Sequence, residues 1–365
     1  MRHFLAIYFT TVVILIMTVI TLNFCIDPSG IFLGKNKSLE HKIARTLNNT
    51  QNILIGCNYD ERLVQMFRIQ DEKELPQYIV TGSSRTMPIG SDIISKNCLN
   101  LSVSGASLED HIALAIAAKQ KKGPNVFLLG IDPWVFNERL GPTGWESISN
   151  LYYQACSILH LKYSTKNQNL SVNKKYLQLV NYDYTTASID KLLKKKNHDL
   201  EITSTEYPTQ EKYLLRNDGS RLNSLKSTHH TQLEVDEIAE KYGRPPIYQL
   251  DNFQFSENLK THFLALVDYL SNKGIVIFLL PPYHPKAYNS IIKHIPDVPQ
   301  IEKMIRVEAD KRNIFVIGSY NPYIIGCYNS DFLDGMHPSK QCWEKIFKNI
   351  SWVDKSNKIT HDLFR

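Results

Sequence analysis

Two short motifs in this chain carry the residue types of nucleophilic acyl chemistry. Gly82-Ser83-Ser84-Arg85 follows the apolar run Tyr78-Ile79-Val80, and Asp334-Gly335-Met336-His337 lies near the C-terminus. A serine hydroxyl is a poor nucleophile at neutral pH. Acyl chemistry on it needs an imidazole to take its proton and a carboxylate to orient that imidazole. The chain supplies all three in the order Ser84, Asp334, His337. Taken singly, Gly-Ser-Ser and Asp-Gly are ordinary turn sequences.

Such residues need rigid elements beneath them. A serine just past the C-terminal end of a parallel strand sits where open α/β sheets place their ligands. A strand at Tyr78 to Thr81 would present Ser84 there. Asp334 and His337 are spaced to fold as one turn that brings the carboxylate against the imidazole. Pro338 keeps His337 out of helical geometry and can itself open a helix over Ser339 to Ile350.

Further strands are expected at Leu99 to Val103, Val126 to Leu129, Ile275 to Leu280 and Ile314 to Ile317. All are short and rich in branched apolar residues, as buried parallel strands are. Helices alternate with them. One starts at Ser107 with Asp110 in a capping-box-like pattern and runs to about Lys119, a second spans Ser256 to Lys273 with Gly274 as its C-cap, and a third runs from about Gln300 to Arg312. The alternation predicts an α/β fold, a three-layer α/β/α sandwich with a mainly parallel, flavodoxin-like sheet.

Together the motifs resemble the SGNH/GDSL hydrolase superfamily, whose first block is Gly-Asp-Ser and whose last is Asp-x-x-His. Ser84 takes the nucleophile's place and Ser83 that of the family's variable Asp. Asn100-Leu101-Ser102-Val103-Ser104-Gly105, after Cys98, matches the region of the second-block glycine, and Gly130-Ile131-Asp132 matches the third-block Gly-x-Asn. The resemblance covers residues 75–140 and 255–350. It is nearest the membrane-anchored branch with Gly-Ser-Ser in its first block, which includes proteins of teichoic-acid D-alanylation and alginate O-acetylation. Thr86 stands where a G-x-S-x-G elbow would have its second glycine, which speaks against the α/β-hydrolase fold.

This resemblance implies transfer of an O-acyl group, acetyl foremost, to a cell-surface polysaccharide outside the cytoplasm. His337 would deprotonate Ser84, Asp334 would hold the imidazole, and the N–H groups of Ser84 and Gly105 would face the oxyanion, with Arg85 adding charge at the rim. A multipass membrane O-acyltransferase is the implied partner. No cofactor is expected. A carbohydrate O-acyl esterase and a catalytically idle binding subunit are the alternatives. The idle reading draws on one departure: an ionised Asp132 can only accept hydrogen bonds, whereas the family's Asn donates one to the oxyanion. Loss of one such donor costs about a hundred- to a thousandfold in rate.

Phe4 to Ile26 contains no charged residue and is long enough to cross a bilayer as a helix. Thr21-Leu22-Asn23-Phe24 offers no small-residue cleavage site, so an uncleaved single-pass anchor at residues 1–26 is expected. Arg2 favours a cytoplasmic N-terminus while Lys35, Lys37, Lys42 and Arg45 oppose it. Because long domains translocate largely regardless of charge, the family resemblance decides for an extracytoplasmic C-terminal domain. Asp27-Pro28-Ser29-Gly30 ends the helix, and residues 27–74 read as a polar, helix-rich connection before the domain at 75–365.

The stretch from Gly141 to Leu250 breaks the strand–helix rhythm and reads as an insertion, with Asn217-Asp218-Gly219-Ser220 as a turn. Its lysine run, Lys191 to Lys196, is either a solvated helix face or a contact for anionic polymer or lipid headgroups. Trp134, Trp145, Tyr152 and Tyr153 are candidate flat surfaces for sugar rings. His284, in Pro281-Pro282-Tyr283-His284-Pro285 after a core strand, is a candidate to line the same cleft, and His229-His230 reads as an exposed loop pair. With 365 residues and a net charge of +6 spread along the chain, nucleic-acid binding is not expected. Beyond the anchor, Cys57, Cys98, Cys156, Cys327 and Cys342 lack metal-ligand spacing, and at most one disulfide and no metal site are expected.

Overall fold

A computed structural model describes residues 2–27, 32, 39–94, 96–140, 144–162, 176–193, 200–228 and 230–348. Pro28 to Gly30, Lys35, Lys37, Gly141, Lys194 to Lys196, His229 and Ile350, on which parts of the sequence reading fall, lie outside them, as does the Lys191 side chain. Nine strands are described: β1 (Asn52–Ile55), β2 (Tyr78–Thr81), β3 (Cys98–Asn100), β4 (Val126–Gly130), β5 (Leu200–Thr203), β6 (Tyr213–Leu215), β7 (Arg221–Leu222), β8 (Ile275–Leu280) and β9 (Phe315–Gly318).

Five of these lie side by side in the order β3-β2-β4-β8-β9, every pair parallel. Numbered within this sheet the order is 2-1-3-4-5, the flavodoxin-like arrangement, whose switch point falls between β2 and β4. Side chains of period two leave each strand toward opposite cores. Ile79, Phe127, Leu129 and Phe278 join a large core beneath helices Leu108–Lys119 and Glu257–Ser271. Val80, Leu128, Ile277 and Leu279 face a smaller one that holds Trp343 and Ile346 of helix Lys340–Lys348. Covering both faces is why the strands read as continuous apolar runs. The fold is α/β, with helices on both sides of a parallel sheet.

The helix caps follow local chemistry. Asp110 accepts from the Ser107 main-chain N–H at 2.9 Å, and the Ser256 hydroxyl accepts from Leu259 N–H at 3.5 Å. Gly274 is not the C-cap of helix Glu257–Ser271. Asn272 caps it and Lys273 takes the left-handed conformation (φ 58°). Gly274 is needed for closeness instead, because a Cβ there would lie 2.5 Å from the Leu270 carbonyl oxygen. Pro338 does not open the last helix either. It forms an antiparallel bridge with Phe332, and Ser339 caps the helix, its hydroxyl accepting from Cys342 N–H at 3.3 Å.

The stretches at 27–74 and 141–250 turn out to be structurally joined. β1 of the first pairs antiparallel with β5 and β6 of the second, giving a four-stranded sheet β5-β1-β6-β7. The four-residue run Asn52-Ile53-Leu54-Ile55 is too short for periodicity to separate strand from helix, and its partners lie far along the chain. The turn Asn217 to Ser220 lies between β6 and β7 and braces β3: the Asn100 N–H donates to Asp218 O at 2.7 Å. Gly219 (φ 85°) allows this approach, since a Cβ there would lie 2.1 Å from Asn100 O.

Helix Arg2–Ile26 contains a 24-residue segment, His3–Ile26, long and apolar enough to cross a membrane. Cys327 and Cys342 form a disulfide, and Cys25, Cys57, Cys98 and Cys156 are not disulfide-bonded.

Candidate active site

The site is built where β2 and β4 diverge. A Cβ on Gly82 would lie 2.2 Å from Thr86 Oγ1, and one on Gly130 would lie 2.5 Å from Thr86 Cγ2. The two glycines therefore make the space that Thr86 fills, and its hydroxyl donates to Ser83 O at 3.0 Å. Asn100 Nδ2 donates to the carbonyls of Thr86 and Ile89 at 2.9 and 2.8 Å, and Trp343 Nε1 donates to Arg85 O at 3.0 Å. Held on these sides, every residue from Tyr78 to Gly90 is buried except Ser84.

The partner loop folds as the Asp-x-x-His spacing suggests. Leu333 N–H donates to His337 O at 2.9 Å, closing a tight reversal. Asp334 Oδ1 accepts from the N–H groups of Met336 (2.7 Å) and His337 (2.9 Å), an Asx-type turn. Asp334 Oδ2 lies 2.7 Å from His337 Nδ1, and His337 Nε2 lies 2.9 Å from Ser84 Oγ. Burial pushes the Asp334 carboxyl up, but the hydrogen bond and charge of His337 and the two N–H groups outweigh it, so the carboxyl sits below its ordinary value. An ionised carboxylate only accepts, so Nδ1 carries the proton and Nε2 is left to accept from Ser84 O–H. That is the protonation state in which an imidazole can act as general base.

Arg85 is not at the rim. It is fully buried, and its guanidinium donates to Asp132 Oδ1 (2.6 Å), Pro281 O (2.6 Å) and Met336 O (3.0 Å), with its carbon 3.9 Å from the centre of the Tyr283 ring. One cation thus ties together the turns after β2, β4 and β8 and the loop bearing His337. Asp132 is equally buried, so its carboxylate serves Arg85 and faces no substrate. Burial pushes the Asp132 carboxyl up against the opposing pull of Arg85 and Ser83. Ser83 is also fully buried, its hydroxyl accepting from Arg85 N–H at 3.2 Å.

The candidate donors beside Ser84 are therefore main-chain groups. Among the described residues, neither Ser84 nor Gly105 uses its main-chain N–H in a hydrogen bond within the protein. Gly105 has φ 56°, and a Cβ on it would lie 2.8 Å from the Tyr248 hydroxyl. Tyr248 is half exposed and packs edge-on against Trp134. On the other side, a Cβ on Gly335 would lie 2.7 Å from Tyr242 Cβ. The end of the 141–250 stretch therefore flanks both the Gly105 turn and the Asp334–His337 loop.

Other candidates fall elsewhere. His284 is fully buried: its main-chain N–H donates to Gly335 O at 3.3 Å, Nδ1 accepts from Lys286 N–H at 3.2 Å, and Nε2 lies 3.3 Å from Asp236 Oδ1. It supports the histidine loop from below and does not line the cleft. Trp134, with its indole N–H on Ala106 O, and Tyr152 are buried and are not open sugar platforms, while the half-buried Trp145 and Tyr153 pack against Tyr152. Trp343, Tyr242 and Tyr248 carry no role in the sequence motifs, and Asn100 enters them only as the first residue of the Asn100–Gly105 block. The spacing Trp343, Ile346, Phe347 was the one signal, marking the inward face of the last helix.

Residues 8–351, which include Ser84, Asp334 and His337, match one protein family. The chain belongs to the family described as protein of unknown function (DUF1574). No curated protein matches it.

Proposed function

We propose that this DUF1574 chain is a membrane-anchored, serine-dependent enzyme of SGNH type that transfers an O-acyl group, acetyl foremost, to a cell-surface polysaccharide. The observation that carries this reading is the hydrogen-bonded line Ser84–His337–Asp334, with Ser84 the one accessible residue on an otherwise buried turn. In the proposed reaction His337 takes the Ser84 proton as Oγ attacks the acyl carbonyl. The tetrahedral intermediate collapses with His337 protonating the leaving group; a sugar hydroxyl, deprotonated by His337 in turn, then attacks the acyl-serine, and His337 returns that proton to Ser84 Oγ as the serine leaves.

Work outside the cytoplasm is supported by the anchor and by the Cys327–Cys342 disulfide, a bond that persists in oxidising compartments. A multipass membrane O-acyltransferase would supply acyl groups from across the bilayer. Transfer over hydrolysis requires an acceptor groove that raises the effective concentration of a sugar hydroxyl and limits water. Tyr242 and Tyr248 are the proposed walls of that groove.

A second reading has one observation in its favour. Asp132, where the superfamily has an oxyanion-donating Asn, is committed to Arg85, which would suit a catalytically idle subunit that binds glycan. Purified full-length protein given a small acetyl ester and a polysaccharide acceptor separates the readings. Acetylated glycan that depends on Ser84 is expected. Rapid ester hydrolysis with no acetylated glycan at any acceptor concentration would make the protein an esterase, and no turnover at all would favour the idle subunit.

A further inference from the structure

Asn23 lies in the last turn of the apolar N-terminal helix and is fully buried, although the helix around it is open. Its side-chain amide donates to Leu179 O and to Thr185 Oγ1, both at 2.9 Å. Just beyond, Asp27 Oδ1 accepts from the Tyr184 hydroxyl at 2.7 Å. The segment 176–193 is thereby fixed against the end of the anchor. Both donors of the Asn23 amide thus find acceptors in this segment.

The segment faces the wrong way for a water-exposed element. Helix Tyr182–Leu193 turns Tyr184 and Ser188 inward, whereas Tyr182, Ile189, Leu192 and Leu193 form an exposed apolar stripe about a third of a turn away. Tyr182 is 79% and Leu193 72% exposed, and Tyr176 and Leu177 in the turn before the helix are likewise exposed. Apolar side chains on the outside, rimmed by tyrosines and continuous with a membrane-crossing helix, have the composition of an element lying in the lipid interface.

We propose that the segment 176–193 lies in the membrane, at the boundary of headgroups and acyl chains where the anchor ends, with Tyr176, Leu177, Tyr182, Ile189, Leu192 and Leu193 in contact with lipid. The anchor and this segment then form two fixed attachments, and the α/β domain is held in one orientation to the bilayer. The inference rests on the anchor crossing the membrane and is independent of the acyl-transfer reading.

The test uses the full chain in vesicles of phosphatidylethanolamine and phosphatidylglycerol. Single cysteines at Leu15, Tyr182, Leu192 and Leu233 are introduced into a Cys25→Ser, Cys57→Ser background and labelled with an environment-sensitive fluorophore. Leu15 marks the anchor, and Leu233, exposed on helix Gln232–Tyr242, marks a water-facing control. Blue-shifted emission at 182 and 192, with loss of most of the signal to nitroxide lipids spin-labelled near the carbonyls, is expected. Water-like emission at both positions while position 15 is quenched would overturn the proposal. Blue-shifted emission without lipid quenching would mean a protein contact and would overturn it equally.

Discussion

Cys327 and Cys342 are joined by a disulfide across a sequence separation of 15, and the loop it closes contains both Asp334 and His337. The catalytic acid and base of the proposed triad therefore sit on a covalently closed segment, pinned further by Trp343 to the turn that carries Ser84. Closing a loop of this size removes about 3 kcal/mol of chain entropy from the unfolded state. Cys327→Ser with Cys342→Ser is expected to lower stability by about that amount in denaturant unfolding, and to lower kcat more than KM. A double variant as stable and as active as the parent would show that the disulfide does not hold this loop.

The buried pair Arg85–Asp132 gives the second prediction. Asp132→Asn introduces the residue type that the SGNH superfamily, to which the proposed function likens this chain, has in its third block, yet it leaves the Arg85 charge without its partner. Breaking a buried ion pair from one side typically costs about 3–5 kcal/mol. We expect Asp132→Asn to be destabilised on that scale and to turn over more slowly than the parent. Faster turnover with unchanged unfolding would mean that residue 132 serves the oxyanion after all.

Acid sensitivity follows from His111. This histidine is buried, Nδ1 lies 3.1 Å from Thr81 Oγ1 of β2, and burial lowers its pKa from 6.5 to about 4. Because the folded value lies below the unfolded one, the unfolded state binds more protons in this window. Stability is full above about pH 6.5 and is lost as pH falls toward 4, on the order of 3 kcal/mol. His262 and His284, also lowered by burial, steepen the same limb. Unfolding free energies of His111→Gln, measured from pH 7 to 4, should fall less steeply than those of the parent, and an identical slope would remove His111 from the account.

The acceptor walls can be tested by separating transfer from hydrolysis. Tyr248→Ala is expected to lower acyl transfer to polysaccharide roughly tenfold, about 1.4 kcal/mol of lost acceptor contact, while hydrolysis of a small ester changes little. Equal loss in both reactions would make Tyr248 a structural support of the Gly105 turn.

Much of the parallel sheet was legible because buried parallel strands are local signals: β2 and β8 span the residues expected from the sequence, Tyr78 to Thr81 and Ile275 to Leu280. Ser84, Asp334 and His337 were legible for a related reason, since each motif is a local turn and only their meeting is long-range. What was not legible depends on contacts between distant segments. β1 finds its partners in the 141–250 stretch, and nothing in Asn52 to Ile55 announces them. Arg85 beside a serine reads as a surface charge until Asp132 and the Pro281 and Met336 carbonyls enclose it. His284 looked like a cleft residue because it follows β8, but Pro285 starts a helix there and turns the ring under the histidine loop.

The central claim is that Ser84 is a nucleophile activated by His337. Treating the full-length protein with an organophosphonate and locating the adduct by mass spectrometry tests it most directly. The account predicts one adduct on Ser84, retained in Ser83→Ala, lost in Ser84→Ala and formed far more slowly in His337→Ala. An unreactive Ser84 in the folded protein, or an adduct on Ser83, would contradict it.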